Sequence, residues 1–222
     1  MSKKVSLNFS DNKYVTFLIS LYQRNKLVLA ISAGIFLSFL CLGILFGYFS
    51  SNFVENILKK YLKLLRGTIV EITTFSIFLK NLQAILIMFF GGIIIIVPAI
   101  VLSFNGFFLG AFFGYVMHGS INTASGVFTT WHLIAFTMPH GIFELPALVI
   151  AGAAGFRIST LIIGLIKNII IKKPVKEQYW KFKDSVVLLA IAIVLLIIAA
   201  IIEANFTPII AYYLTGLPVS SH

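Results

Sequence analysis

The sequence predicts an all-α fold: a polytopic transmembrane helical bundle of about five spans, with kinked or broken central helices and an amphipathic interfacial helix. Three observations predict it. Apolar residues make up 59% of the 222 and charged residues only 11%, with a mean hydropathy of +1.03, where a soluble domain carries about 45–50% and about 25%. Apolar runs of membrane-spanning length recur along the chain. The 17 Lys and Arg, against 7 Asp and Glu, flank those runs instead of interrupting them. A water-soluble enzyme and a disordered tail are excluded. So is a disulfide framework, because Cys41 is the one cysteine and lies inside the first apolar run. Nucleic-acid binding also requires a basic chain, but charges placed at the ends of spans report topology and contact with anionic lipid. No nucleic-acid partner is expected.

Residues 1–26 are read as a cytoplasmic segment. They carry Lys3, Lys4, Lys13, Arg24 and Lys26. Tyr14, Val15, Phe17, Leu18, Leu21 and Tyr22 recur at helical spacing, which predicts a short helix on the membrane surface. No removable signal peptide is expected there. Residues 27–217 form a single transmembrane domain. Its first span, 27–49, contains Gly34, Ser38, Gly43 and Gly47, small residues that let helices approach closely. Residues 51–80 then divide into two faces. Val54, Ile57, Leu58, Tyr61, Leu65, Ile69 and Ile72 oppose Glu55, Lys59, Lys60, Lys63 and Arg66, the pattern of an amphipathic helix at the headgroups.

A second span covers 82–103 and includes Gly91, Gly92 and Pro98. A third segment, 105–118, is short for a hydrocarbon core of about 30 Å at about 1.5 Å per residue. A polar patch runs from His118 to Gly126. Residues 127–156 are apolar again but too long for one straight span, and Pro139 is expected to kink or restart the helix. A basic inside loop, 157–183, precedes the last span, 184–204. The segments 1–26 and 157–183 hold 5 and 7 Lys and Arg, while 50–81 holds 5. With five crossings, the positive-inside rule then sets the N-terminus inside and the C-terminus outside.

Four polar residues lie at or near membrane depth: Asn105, His140, Glu144 and Glu203. A charge at the bilayer centre costs about 2.5–3.5 kcal/mol on insertion scales, so such groups face protein or water. His140 and Glu144 share a helix face that continues through the small residues Ala147, Ala151 and Gly155, with Gly141 beside it, and so should face a closely packed neighbour. Three roles are open to the pair: an interhelical hydrogen bond, an ion or proton path, or part of a metal site. His118 and His132 could add ligands, but no two histidines are four apart and no HExxH occurs. Ser and Thr are scattered without a nucleophile–base spacing. No catalytic residue, metal or cofactor is therefore expected. Glu203 ends the last span, either as a solvated helix end or as a second polar partner of the central helices. Asn105 is read as a helix cap. Behind it, Gly106, Gly110 and Gly114 form a groove for close packing. Self-association to a homo-oligomer is expected through that groove, joined by Gly43 and Gly47. Arg157 should snorkel to the inner interface, and Trp131 and Trp180 fit interfacial belts.

Three stretches carry a family resemblance: NGFFLG from Asn105 to Gly110, PHGIFELPALVIAGAAGFR from Pro139 to Arg157, and AAIIEANFTP from Ala199 to Pro208. They resemble the stage II sporulation protein M family over about 75–215. The matching positions are Asn105, Gly106, Gly110, His140, Gly141, Glu144, Gly155 and Glu203. The resemblance implies a polytopic plasma-membrane protein that is not itself a hydrolase. In endospore formers, it implies a member that holds two peptidoglycan-cleaving partners at the membrane during engulfment. The function expected here is thus a non-enzymatic scaffold that sits in the lipid bilayer and recruits other membrane or cell-envelope proteins. The alternative is a transporter or channel component for an ion or small solute, since the short 105–118 segment and the Pro-interrupted 127–156 segment resemble the discontinuous helices of transporters.

Overall fold

A computed structural model describes residues 13–57, 60, 74–119, 121–123 and 126–215. Among the described residues the bundle is built from α1 (Lys13–Phe49), α2 (Thr74–Gly91), α3 (Ile96–His118), α4 (Thr130–Ile170), α5 (Tyr179–Asn205) and α6 (Thr207–Thr215). Four of them, α1, α3, α4 and α5, are long and apolar enough to cross a membrane, and α2 adds a shorter apolar stretch, Phe78–Gly91. The expected helical bundle is thus observed. Between α3 and α4, β1 (Ile121–Thr123) and β2 (Gly126–Phe128) pair as an antiparallel ribbon, Ile121 opposite Phe128.

Helix boundaries differ from the expected ones in four places. The surface helix expected within 1–26 is the start of α1, a continuous 37-residue helix. Nothing between Lys13 and Ala33 is Gly or Pro, and Leu21, Asn25, Val28, Ser32 and Phe36 bury one face at helical spacing. The break expected near 103–105 lies instead at 92–95. There Gly92 passes against the backbone of Gly155, where a Cβ would collide with the Gly155 carbonyl, and Ser159 Oγ donates to Gly92 O at 2.7 Å. Pro98 consequently stands in the first turn of α3, where a missing N–H removes no helical bond. Asn105 is mid-helix and caps nothing; its Nδ2 donates to Val101 O at 2.8 Å.

The third difference is α4, which runs unbroken for 41 residues through Pro139 and Pro146. A helix buried among neighbours tolerates Pro better than one in water. It also absorbs the first half of the supposed loop 157–183. Two residues past its end at Ile170, Lys172 takes a left-handed φ of 53°, and Asn168 Nδ2 donates to Pro174 O at 2.9 Å. The fourth concerns 51–80. Residues 51–57 are helical and 74–80 belong to α2, but residues 58, 59 and 61–73 lie outside the described residues.

Helix α4 is the axis of the bundle and touches every other helix. Its Ala147, Ala151, Ala153 and Ala154 are fully buried, and small side chains on an axial helix let neighbours close in from several sides. Helices α1 and α3 run parallel to each other. Gly106, Gly110 and Gly114 meet the backbone at Phe36, Leu40 and Ile44 in turn, while Gly43 and Gly47 meet Phe107 and Ala111 from the other side. The glycine groove expected to receive a second copy is therefore filled from within the chain. Both helices run antiparallel to α4, as does α5: Ser32 Oγ donates to Val149 O at 2.6 Å, and Ser185 Oγ to Ala154 O at 2.7 Å.

Candidate functional site

The four polar residues singled out in the sequence converge on one cavity of about 500 Å³. Helix α4 contributes Thr137, His140, Gly141 and Glu144. Helix α3 contributes Asn105 with Phe104, Phe108 and Phe112, α1 contributes Phe36, α2 contributes Asn81, and α5 contributes Glu203. The convergence follows from helix geometry. His140 and Glu144 are one turn apart on one face of α4. The antiparallel α5 brings its end to the same level.

Glu144 is the most engaged of these groups. Its Oε1 accepts from Asn81 Nδ2 at 2.6 Å. Its Oε2 lies 3.8 Å from His140 Nε2, with both side chains under one-fifth exposed. His140 Nδ1 is 3.4 Å from Thr207 Oγ1. The Thr207 hydroxyl donates to Ile202 O at 3.4 Å. Which ring nitrogen of His140 donates follows its tautomer, and the 3.8 Å between Nε2 and Glu144 Oε2 is an ion-pair distance, longer than a hydrogen bond. Glu203 makes no hydrogen bond or ion pair among the described residues.

Small residues of α4 divide between two jobs. Gly155 is packed against Met88 O and Pro98, and Ala147 and Ala151 are buried, as a packing face requires. Gly141 has room instead: a Cβ there would meet only Thr137 Cγ2, at 3.7 Å. It helps hollow out the cavity.

A second polar cluster sits 13 residues further along α4 from Glu144, about 20 Å at 1.5 Å per residue. Asp184, 2% exposed in its side chain, accepts from Arg24 Nη2 at 2.8 Å, Arg24 Nε at 3.0 Å, Asn25 Nδ2 at 3.0 Å and Arg157 Nη2 at 3.3 Å. Arg157 is therefore held inside the bundle, where snorkelling was expected. This cluster was not anticipated, nor was Asn81. Of its neighbourhood only Ser32 lies a turn inside an expected span; Asn25 and Asp184 lie at expected span ends. The remaining histidines serve locally. His132 Nδ1 accepts from Thr129 N at 3.2 Å in a capping box, and His118 packs edge-on against Tyr48. Among the described residues no group of three or more His, Cys, Asp or Glu is arranged to hold a metal.

The chain is similar to known proteins in two comparisons. A family model described as Stage II sporulation protein M matches residues 33–208. A protein of Methanocaldococcus jannaschii is 37% identical over 177 residues, covering 78% of this chain and 92% of the relative. A second protein of that organism is 26% identical over 191 residues, covering 83% of each chain. Both relatives are described only as uncharacterized. No solved structure matches.

Proposed function

Because this chain belongs to the stage II sporulation protein M family, we propose that it is a non-enzymatic scaffold of the plasma membrane that holds other membrane or cell-envelope proteins in a complex. The observation that carries this reading is the length of α4. Its 41 residues extend about 61 Å, roughly twice the hydrocarbon core. Helix α1, with 37 residues, extends about 55 Å. The Arg24–Asp184–Arg157 cluster ties the two together at one level, so both overshoot at the same end. Lys26 and Lys183 lie beside that level, which favours its lying at the inner headgroups, with the N-terminus inside and the C-terminus outside. Below it, Leu18, Tyr22, Ile163, Ile166 and Ile170 are exposed. Apolar side chains grouped outside lipid favour contact with another protein.

Photo-cross-linking residues placed at Leu18 and Ile166 test this, with Ile100 and Val194 as lipid-facing controls. Discrete protein adducts at the first two positions only are expected. The same pattern at all four, or none at any, would refute the scaffold. A second reading, a transporter component for an ion or small solute, is favoured by the cavity around Glu144. Flux into proteoliposomes that Glu144→Gln abolishes without unfolding the protein would establish it.

A further inference from the structure

We propose that the cavity binds an ammonium group, carried by a small organic amine or by an aminolipid headgroup. The inference concerns occupancy of the cavity and holds for a scaffold and a transporter alike. Its first support is charge. Glu144 and Glu203 line the cavity, and among the described residues His140 is the only basic group on its wall, with no Lys or Arg. Glu144 already accepts from Asn81 Nδ2 at 2.6 Å and lies 3.8 Å from His140 Nε2. The Glu203 carboxylate is left without a hydrogen bond or ion pair among the described residues. A half-buried carboxyl in an apolar bundle either takes up a proton or pairs with a cation, and here the space beside it is open to a cation.

The second support is the chemistry of the remaining wall. A small inorganic cation asks for a close shell of oxygens, whereas this cavity is about 500 Å³ and is walled by phenylalanines. Ring faces attract weakly hydrated organic cations. Asn105 uses its Nδ2 on Val101 O, which keeps its carbonyl oxygen for a donor. An ammonium head offers up to three N–H donors, matched by Glu203, Glu144 and that carbonyl. The third support is access. Phe104 and Phe108 stack with centroids 6.2 Å apart and are 69% and 56% exposed. Both rings line the cavity, so its wall reaches the exposed surface of the bundle.

The test uses the full chain in nanodiscs of amine-free lipid, titrated with ethylammonium chloride against sodium chloride at equal ionic strength. Thermal stability and calorimetric binding are both recorded, because a ligand that binds only the native state raises the melting temperature. A rise specific to ethylammonium identifies a soluble amine. A rise seen only when phosphatidylethanolamine replaces phosphatidylglycerol identifies a headgroup. In either case Glu203→Gln should weaken binding at least about tenfold while melting normally without ligand. Gly141→Leu, which fills open space in the cavity, should abolish it. Should Glu203→Gln fail to fold, Gly141→Leu alone decides. Identical responses to ethylammonium and sodium together with no lipid dependence, or full binding by Gly141→Leu, would overturn the proposal.

Discussion

Gly110→Ala is the sharpest probe of how the bundle is held together. A Cβ at 110 would collide with the Leu40 carbonyl oxygen and sit 2.9 Å from Ile44 N and 3.0 Å from Leu40 C. All three are backbone atoms, so no rotamer change relieves the contact and α1 must move away from α3. Overpacking of this kind costs about 1–3 kcal/mol, against about 1 kcal/mol gained from the better helix propensity of Ala. The net effect is a loss of up to about 2 kcal/mol. Gly34→Ala is the internal control, because a Cβ there meets nothing within 4 Å. It should be neutral or gain up to about 1 kcal/mol. For a domain of this size about 2–4 °C accompanies each kcal/mol. Thermal unfolding in detergent, followed by size-exclusion fluorescence, should place Gly110→Ala several degrees below Gly34→Ala. Gly110→Ile should fall further or fail to assemble. Equal melting temperatures for the two alanine variants would refute the interlock.

Three further predictions concern the polar layers. Glu144→Gln keeps an acceptor for Asn81 and should leave stability nearly unchanged, whereas Glu144→Ala strands the Asn81 amide and should cost about 1–2 kcal/mol; denaturation of both in detergent checks the order. Asp184→Asn removes the counter-charge of Arg24 and Arg157 and should cost about 3–5 kcal/mol, the usual penalty for breaking a buried pair from one side. Arg157→Ala should cost more than Arg24→Ala in the same assay, because the Arg157 side chain is 15% exposed and that of Arg24 37%.

Much of the site was legible because polar residues in apolar helices are expensive and therefore conspicuous. His140, Glu144, Glu203 and Asn105 stood out for that reason, and they line one cavity. Asn81 and Asp184 did not stand out, since both lie near the expected ends of spans, where a polar residue needs no explanation. Helix boundaries were less legible. Pro139 carries the stronger breaking signal in water, but α4 runs through it unbroken, as a helix flanked by neighbours in a membrane bundle can. The break falls at Gly91–Gly92, where close approach of Gly155 and the Ser159 hydroxyl satisfy a turn. The glycine ladder announced a tight helix contact without saying with what. A second chain and the parallel α1 impose the same spacing, and local sequence does not encode which of them arrives.

The central claim is a bundle that crosses the membrane along α4, with its overshooting end inside the cell. Cysteine accessibility tests it most directly. Cys41 is replaced by Ser, and single cysteines are placed at Val127 and Val175, each 50% exposed and on opposite ends of α4. Intact cells are then treated with a membrane-impermeant thiol reagent. Labelling at 127, with none at 175 until the cells are opened, is the predicted result. Labelling at 175 alone would invert the orientation, and equal labelling of both in intact cells would mean that α4 does not cross the bilayer.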